Sequence, residues 1–123
     1  MTPQTPLLRQ IHPSFVQAGR VTSQAFRPTP KDESQLSVYD GDKIQPQAAW
    51  EHFTQNPVCK SVGVLAVSKA ECDSEQLPVI ADGVSFPEHC YLDYSAFDKN
   101  TIEKKAKALS RFAQLRGWLF QAA

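Results

Sequence analysis

Glycine is scarce in this sequence: five of 123 residues, against nine prolines. Few positions can therefore adopt left-handed backbone freely, and many interrupt regular elements. Prolines paired at Pro3/Pro6, Pro28/Pro30 and Pro78/Pro87 predict long, shaped loops. Long apolar runs are missing too. The longest, around Val62 to Val67, falls far short of the roughly 20 residues that cross a bilayer, so no membrane span is expected. The opening Met-Thr-Pro-Gln-Thr-Pro has no basic patch followed by an apolar stretch and a small-residue cleavage site, so no secretory signal is read and a cytoplasmic location is expected. Cys59, Cys72 and Cys90 are odd in number and never fall in C-x-x-C spacing, which fits reduced, mostly buried thiols rather than a disulfide framework.

Signatures of chemistry are equally sparse. There is no P-loop, no G-x-G-x-x-G turn, no G-x-S-x-G elbow and no H-x-x-x-H pair, so no nucleotide cradle, exposed serine turn or helical metal pair is encoded in a recognisable form. Although His12, His52, His89 and Cys90 are ligand types, their spacing argues against a metal site, and no cofactor is expected.

What is present describes one domain. The length suits a single core, and apolar and charged fractions of 41% and 21% are those of an ordinary globular chain. Residues 1–6, polar and proline-bearing, read as a disordered start, and 7–123 as the domain. Net charge is zero but uneven. Residues 1–60 carry six basic and five acidic side chains, 61–97 one and six, and 98–123 six and two. An acidic face lying against a basic helix of the same domain accounts for this more simply than an external partner.

Periodicity predicts the elements. Ser14 to Ala18 reads as a helical turn stopped by Gly19, and Val21 to Phe26 as a first strand, because its residues alternate. After the connection Arg27 to Gln35 come a strand at Leu36 to Tyr39 and a helix opened by Pro46, carrying Ala49, Trp50 and Phe53 and ending by Pro57. The valine-rich Ser61 to Val67 predicts a central strand, while Leu77 to Ile80 and Cys90 to Tyr94 predict two more. Asn100 and Glu103 resemble a capping box that opens a long helix over Asn100 to Leu119, with Ile102, Ala106, Leu109 and Ala113 in one apolar row. The expected fold is α+β: a small mixed or antiparallel sheet of about four or five strands with the long C-terminal helix packed on one face.

The polar residues that invite a functional reading are Arg9, His12, Arg20, Ser23, Asp32, Ser37 and His89. Guanidinium forks and hydroxyls suit a phosphate or carboxylate, and a histidine beside them moves protons near neutral pH. A Ser/His/Asp arrangement is available through Ser23 or Ser37, His12 or His89, and Asp32. The same residues also suit solvated charges, ion pairs and strand positions. The string Arg9-x-x-His12-Pro13, Gly19-Arg20-x-x-Ser23-x-Ala25-Phe26-x-Pro28, Asp32, Leu36-Ser37-Val38 and later Pro87-x-His89 resembles a family of small uncharacterised bacterial proteins. The resemblance spans Arg9 to about Tyr94 and implies that these polar positions share a role, without naming an activity.

Two function classes follow. The first is a small cytosolic binding or regulatory protein of bacterial type, antitoxin-like, an immunity protein or another operon partner, docking a protein partner or a second copy through Trp118 and Phe120. The second is a small enzyme or ligand-binding domain for a phosphorylated or nucleotide-like anion, using the Arg/His/Ser/Asp cluster. The neutral overall charge argues against a nucleic-acid module.

Overall fold

A computed structural model describes residues 1–29 and 34–123. Among the described residues there are eight strands and three α-helices, in the order β1 (Pro6–Gln10), β2 (Val16–Gln17), β3 (Arg20–Val21), β4 (Gln35–Asp40), α1 (Pro46–Thr54), β5 (Gly63–Ser68), α2 (Lys69–Ser74), β6 (Val79–Ile80), β7 (His89–Asp93), α3 (Lys99–Arg116) and β8 (Phe120–Gln121). Six strands form one sheet in the order β6-β7-β4-β1-β5-β8, and β2 and β3 form a separate ribbon. Every pairing is antiparallel. The α+β class and the long C-terminal helix are as expected; the main sheet has six strands rather than four or five.

Helices lie on both faces. Ala106, Leu109 and Ala113 of α3 are fully buried with Leu7, Leu65, Val67 and Leu92 in the larger core cluster. Opposite, Ala49 of α1 packs with Leu8, Tyr39, Val64 and Ala66, joined by the half-buried Trp50, Phe53 and Phe120. Covered on both sides, the sheet's inner strands lose the alternation of a half-exposed strand: Leu7 and Leu8 are both at zero exposure.

The middle of the sheet is therefore held by β1, where no strand is expected from the sequence. Valine-rich β5 lies beside it, with Val64 to Val67 all buried. The stretch read as a disordered start is held in place. Thr5 is buried, its carbonyl accepts from Lys69 N–H (3.0 Å), and Pro3 O accepts from Ala70 N–H (2.9 Å).

Three other expectations are corrected. Ser23–Phe26 is a 3₁₀ turn rather than part of a strand, because its carbonyls are claimed by side chains: Arg9 Nε donates to Ala25 O (2.6 Å) and the Tyr94 hydroxyl to Phe26 O (2.6 Å). The turn expected at Ser14 to Ala18 is a 3₁₀ turn over Pro13–Phe15, followed by the β2–β3 hairpin, whose central residues Ala18 and Gly19 have φ of 51° and 76°, the primed turn that suits a two-residue hairpin. Helix α3 is capped by Asp98, whose Oδ1 accepts from Thr101 N–H at 2.8 Å, not by Asn100. It stops at Gly117 (φ 89°), and the tail continues as β8 instead of helix. Ser68 and Glu71 form a capping box at the start of α2. Among the described residues no helix is long and apolar enough to cross a membrane.

Candidate functional site

The site arises where α1 leaves part of its sheet face uncovered. There a cavity of about 580 Å³ opens between the end of α1, the loop before β7 and the turn at His12–Phe15. Leu8, Phe15, Phe53 and Phe86 form its apolar walls; Gln10, Ser14, Ser37 and Tyr39 add polar groups; Arg9, His12, Lys60 and His89 supply cations or potential cations. Among the described residues no carboxylate lines it.

Strand register explains the floor. Asp40 N–H donates to Glu88 O (2.8 Å) and Tyr94 N–H to Ser34 O (2.9 Å), so even-numbered residues of β4 turn their backbone groups to β7. By alternation, Ser37 turns its own toward β1. Strand β1 pairs with β4 through Leu7↔Asp40 and Leu8↔Tyr39, and beyond that point the Arg9 guanidinium takes over, its Nη1 donating to Ser37 O at 3.0 Å. Continuing the register sets Gln10 level with Ser37 on the cavity face. Gln10 is 7% exposed, and neither its Oε1 nor its Nε2 has a hydrogen-bond partner among the described residues.

The rim is aromatic and histidine-rich. Phe86 stacks on Tyr39 with ring centroids 4.9 Å apart and meets His52 and His89 edge-on. The Tyr39 hydroxyl lies 2.9 Å from His52 Nδ1. Burial, with lesser contributions from Cys59 and Glu88, pushes the Tyr39 phenol up to about 12, so it stays protonated at neutral pH. His89 Nδ1 is 2.5 Å from Asp82 Oδ1, and His89 Nε2 is 3.3 Å from Ser37 Oγ. Burial opposes the charge on Asp82, but hydrogen bonds from His89 and Val84 N–H, with the His89 charge, outweigh it and hold the carboxyl below its ordinary range. His12 Nδ1 bonds to Ser14 Oγ at 2.8 Å. No three His, Cys, Asp or Glu side chains among the described residues gather as a metal site would require.

Of the residues singled out from sequence, Arg9, His12, Ser37 and His89 converge on this cavity. Arg20 is exposed on the β2–β3 hairpin, and Ser23 lines a separate open groove with Lys107 and Arg111. Asp32 lies outside the described residues. Trp118 packs against the larger core cluster and Phe120 against the smaller, 5.2 Å from Trp50. Their tail presses so closely that a Cβ on Gly63 would come within 2.5 Å of Phe120 O.

Sequence reading missed Gln10, Lys60, Asp82 and Phe86. One signal was there for Gln10, a long polar side chain set among Leu7, Leu8 and Ile11, while Asp82 carried only its place in a turn-forming Asp-Gly. No protein-family model, curated protein or solved structure matches this chain.

Proposed function

We propose that the cavity binds a small anionic molecule of the phosphorylated or nucleotide-like class, which makes this a ligand-binding domain or small enzyme. The observation that carries the reading is the Gln10 amide. A buried polar group without a partner costs about 1–3 kcal/mol, and Gln10 is part of the cavity wall, with both amide atoms shielded from solvent. Around it, the basic side chains of Arg9, His12, Lys60 and His89 line the cavity and favour an anion, and the rings of Phe15, Phe53 and Phe86 suit a planar body. The volume is that of a small-molecule site. Arg9, His12, Ser37 and His89 line the cavity together, whereas Arg20 and Ser23 of the same string do not. The partner-docking reading loses one of its supports, since Trp118 and Phe120 pack inward.

A thermal-shift screen of nucleoside monophosphates and phosphorylated metabolites tests this. A ligand at about 100 times its Kd stabilises the folded state by about 2.7 kcal/mol, a readily measured rise. The rise is expected to vanish in Lys60→Ala and Phe86→Ala and to persist in Arg20→Ala, whose side chain is exposed on the β2–β3 hairpin and does not line the cavity. No shift with any of these anions at millimolar concentration rejects the reading.

A further inference from the structure

We infer that Ser37 is a nucleophile activated by His89 and Asp82, and that the cavity cleaves carboxylic esters of small anionic alcohols. The inference rests on the anion-binding reading for its substrate class, while the nucleophile stands on its own geometry. A carboxylate, an imidazole and a hydroxyl lie end to end: Asp82 Oδ1 to His89 Nδ1 at 2.5 Å, then His89 Nε2 to Ser37 Oγ at 3.3 Å. Each ring nitrogen has its own partner. With Nδ1–H donated to Asp82, the Nε2 lone pair faces the serine, the tautomer a general base needs. The second distance is slightly long for a hydrogen bond, as is common for such pairs before substrate binds.

The fold supplies this arrangement from three places. Pairing of Tyr39 with His89 and of Ser37 with Tyr91 sets His89 diagonally across from Ser37 on the cavity face. Asp82 comes from the loop before β7, tied back by Gly83 N–H to His89 O at 3.2 Å. Ser37 is exposed in mid-strand, so its Oγ is reachable without a nucleophile elbow. The imidazole is more sheltered, its side chain 16% exposed.

The step balances with water as the second reactant. Ser37 Oγ bonds to the ester carbonyl carbon while its proton passes to His89 Nε2. The carbonyl oxygen becomes the oxyanion of a tetrahedral intermediate. As the intermediate collapses, the ester C–O bond breaks and the leaving alcohol takes the proton from His89, leaving acyl-Ser37. Water then attacks the acyl carbon, gives a proton to His89, and Ser37 leaves as the restored hydroxyl with that proton, releasing the acid. Asp82 touches no substrate and is a positioning residue.

Labelling with a fluorophosphonate tests the nucleophile, since only an activated serine displaces fluoride at an appreciable rate. Intact mass is expected to show one phosphonyl adduct, mapped by peptide sequencing to Ser37 and lost in Ser37→Ala. His89→Gln is expected to slow adduct formation on the order of 100- to 10,000-fold. Asp82→Asn slows it as well, and Asp82→Glu, which keeps the carboxylate, recovers part of the rate. An adduct elsewhere, a rate unchanged in His89→Gln, or no adduct on the folded wild type overturns the inference. The wild-type thermal shift with anions separates the two failures: a shift without an adduct leaves a binding pocket, and neither result leaves neither reading.

Discussion

At the scale of single residues, Gln10 sets stability against function. Replacing its unpartnered amide with a thioether of similar length removes a desolvated polar group without emptying the space. Gln10→Met is therefore expected to raise unfolding free energy by about 1 kcal/mol in urea titration and to abolish the anion-induced thermal shift. A loss of stability would mean the amide is satisfied in the folded protein. The cysteines separate in the same way. Burial, followed by the charges of Asp73 and Glu71, pushes the Cys72 thiol up to about 12, and burial followed by Asp40 pushes Cys90 up to about 11. Because the thiolate is the reactive form, a disulfide-exchange reagent at pH 8 is expected to titrate the half-buried Cys59 alone. Cys72 and Cys90 follow only after denaturant is added. Rapid reaction of either in the native protein would contradict their placement.

At the scale of elements, α3 is the piece on which the larger core closes. Leu109 is fully buried there, and Leu109→Ala is expected to cost about 2–5 kcal/mol in denaturant titration. Its last turn is held by Arg116, which donates to both carboxylate oxygens of Glu71 (2.8 and 3.0 Å) and to Ala66 O (2.9 Å). This joins the acidic stretch to the basic helix within the domain. Burial opposes ionisation of Glu71, but hydrogen bonds from Arg116 and Ser68, with the Arg116 charge, hold its carboxyl below the ordinary range. A group whose folded pKa is depressed adds stability above its unfolded value of about 4.3, and the contribution is lost as pH falls through the folded value. Glu71→Gln is accordingly expected to lower the melting temperature at pH 7 and to narrow its gap to wild type as pH drops below about 4. An unchanged gap would remove the pair from the account. What was legible in the sequence follows from how elements are stabilised. Helices α1 and α3 each spread an amphipathic pattern over several turns, and β4, β5 and β7 each carry a compact apolar run, so local signals and tertiary packing agree. The strand expected at Val21 to Phe26 failed because Arg9 and Tyr94, distant in sequence, took its carbonyls. The two-residue strands β6 and β8 are too short to carry a period. For the site, residue type pointed to Arg9, His12, Ser37 and His89, but pairing Ser37 with His89 and Asp82 depends on the β4–β7 register, which no spacing in the chain encodes.

At the scale of the whole molecule, formal charge is balanced, with a sequence pI of about 6.8, so the anion binding we propose would draw on the local field of the cavity. That field is screened as the Debye length shortens from about 10 Å at 0.1 M salt to about 3 Å at 1 M. Anion affinity is expected to fall across that range in a titration followed by calorimetry, whereas affinity that ignores salt would assign binding to the apolar walls instead. The sheet has a further consequence, because its middle strand comes before every partner in the chain. Strand β1 joins β6-β7-β4 on one side to β5-β8 on the other, and its pairing with β5 reaches as far as Ser68. During synthesis, Leu7 and Leu8 emerge before β4 and β5 and wait uncovered while these enclosing segments are made. The nascent chain therefore carries β1 as an open edge until β5 has emerged as far as Ser68, and this is the interval in which a holding chaperone matters most to its yield.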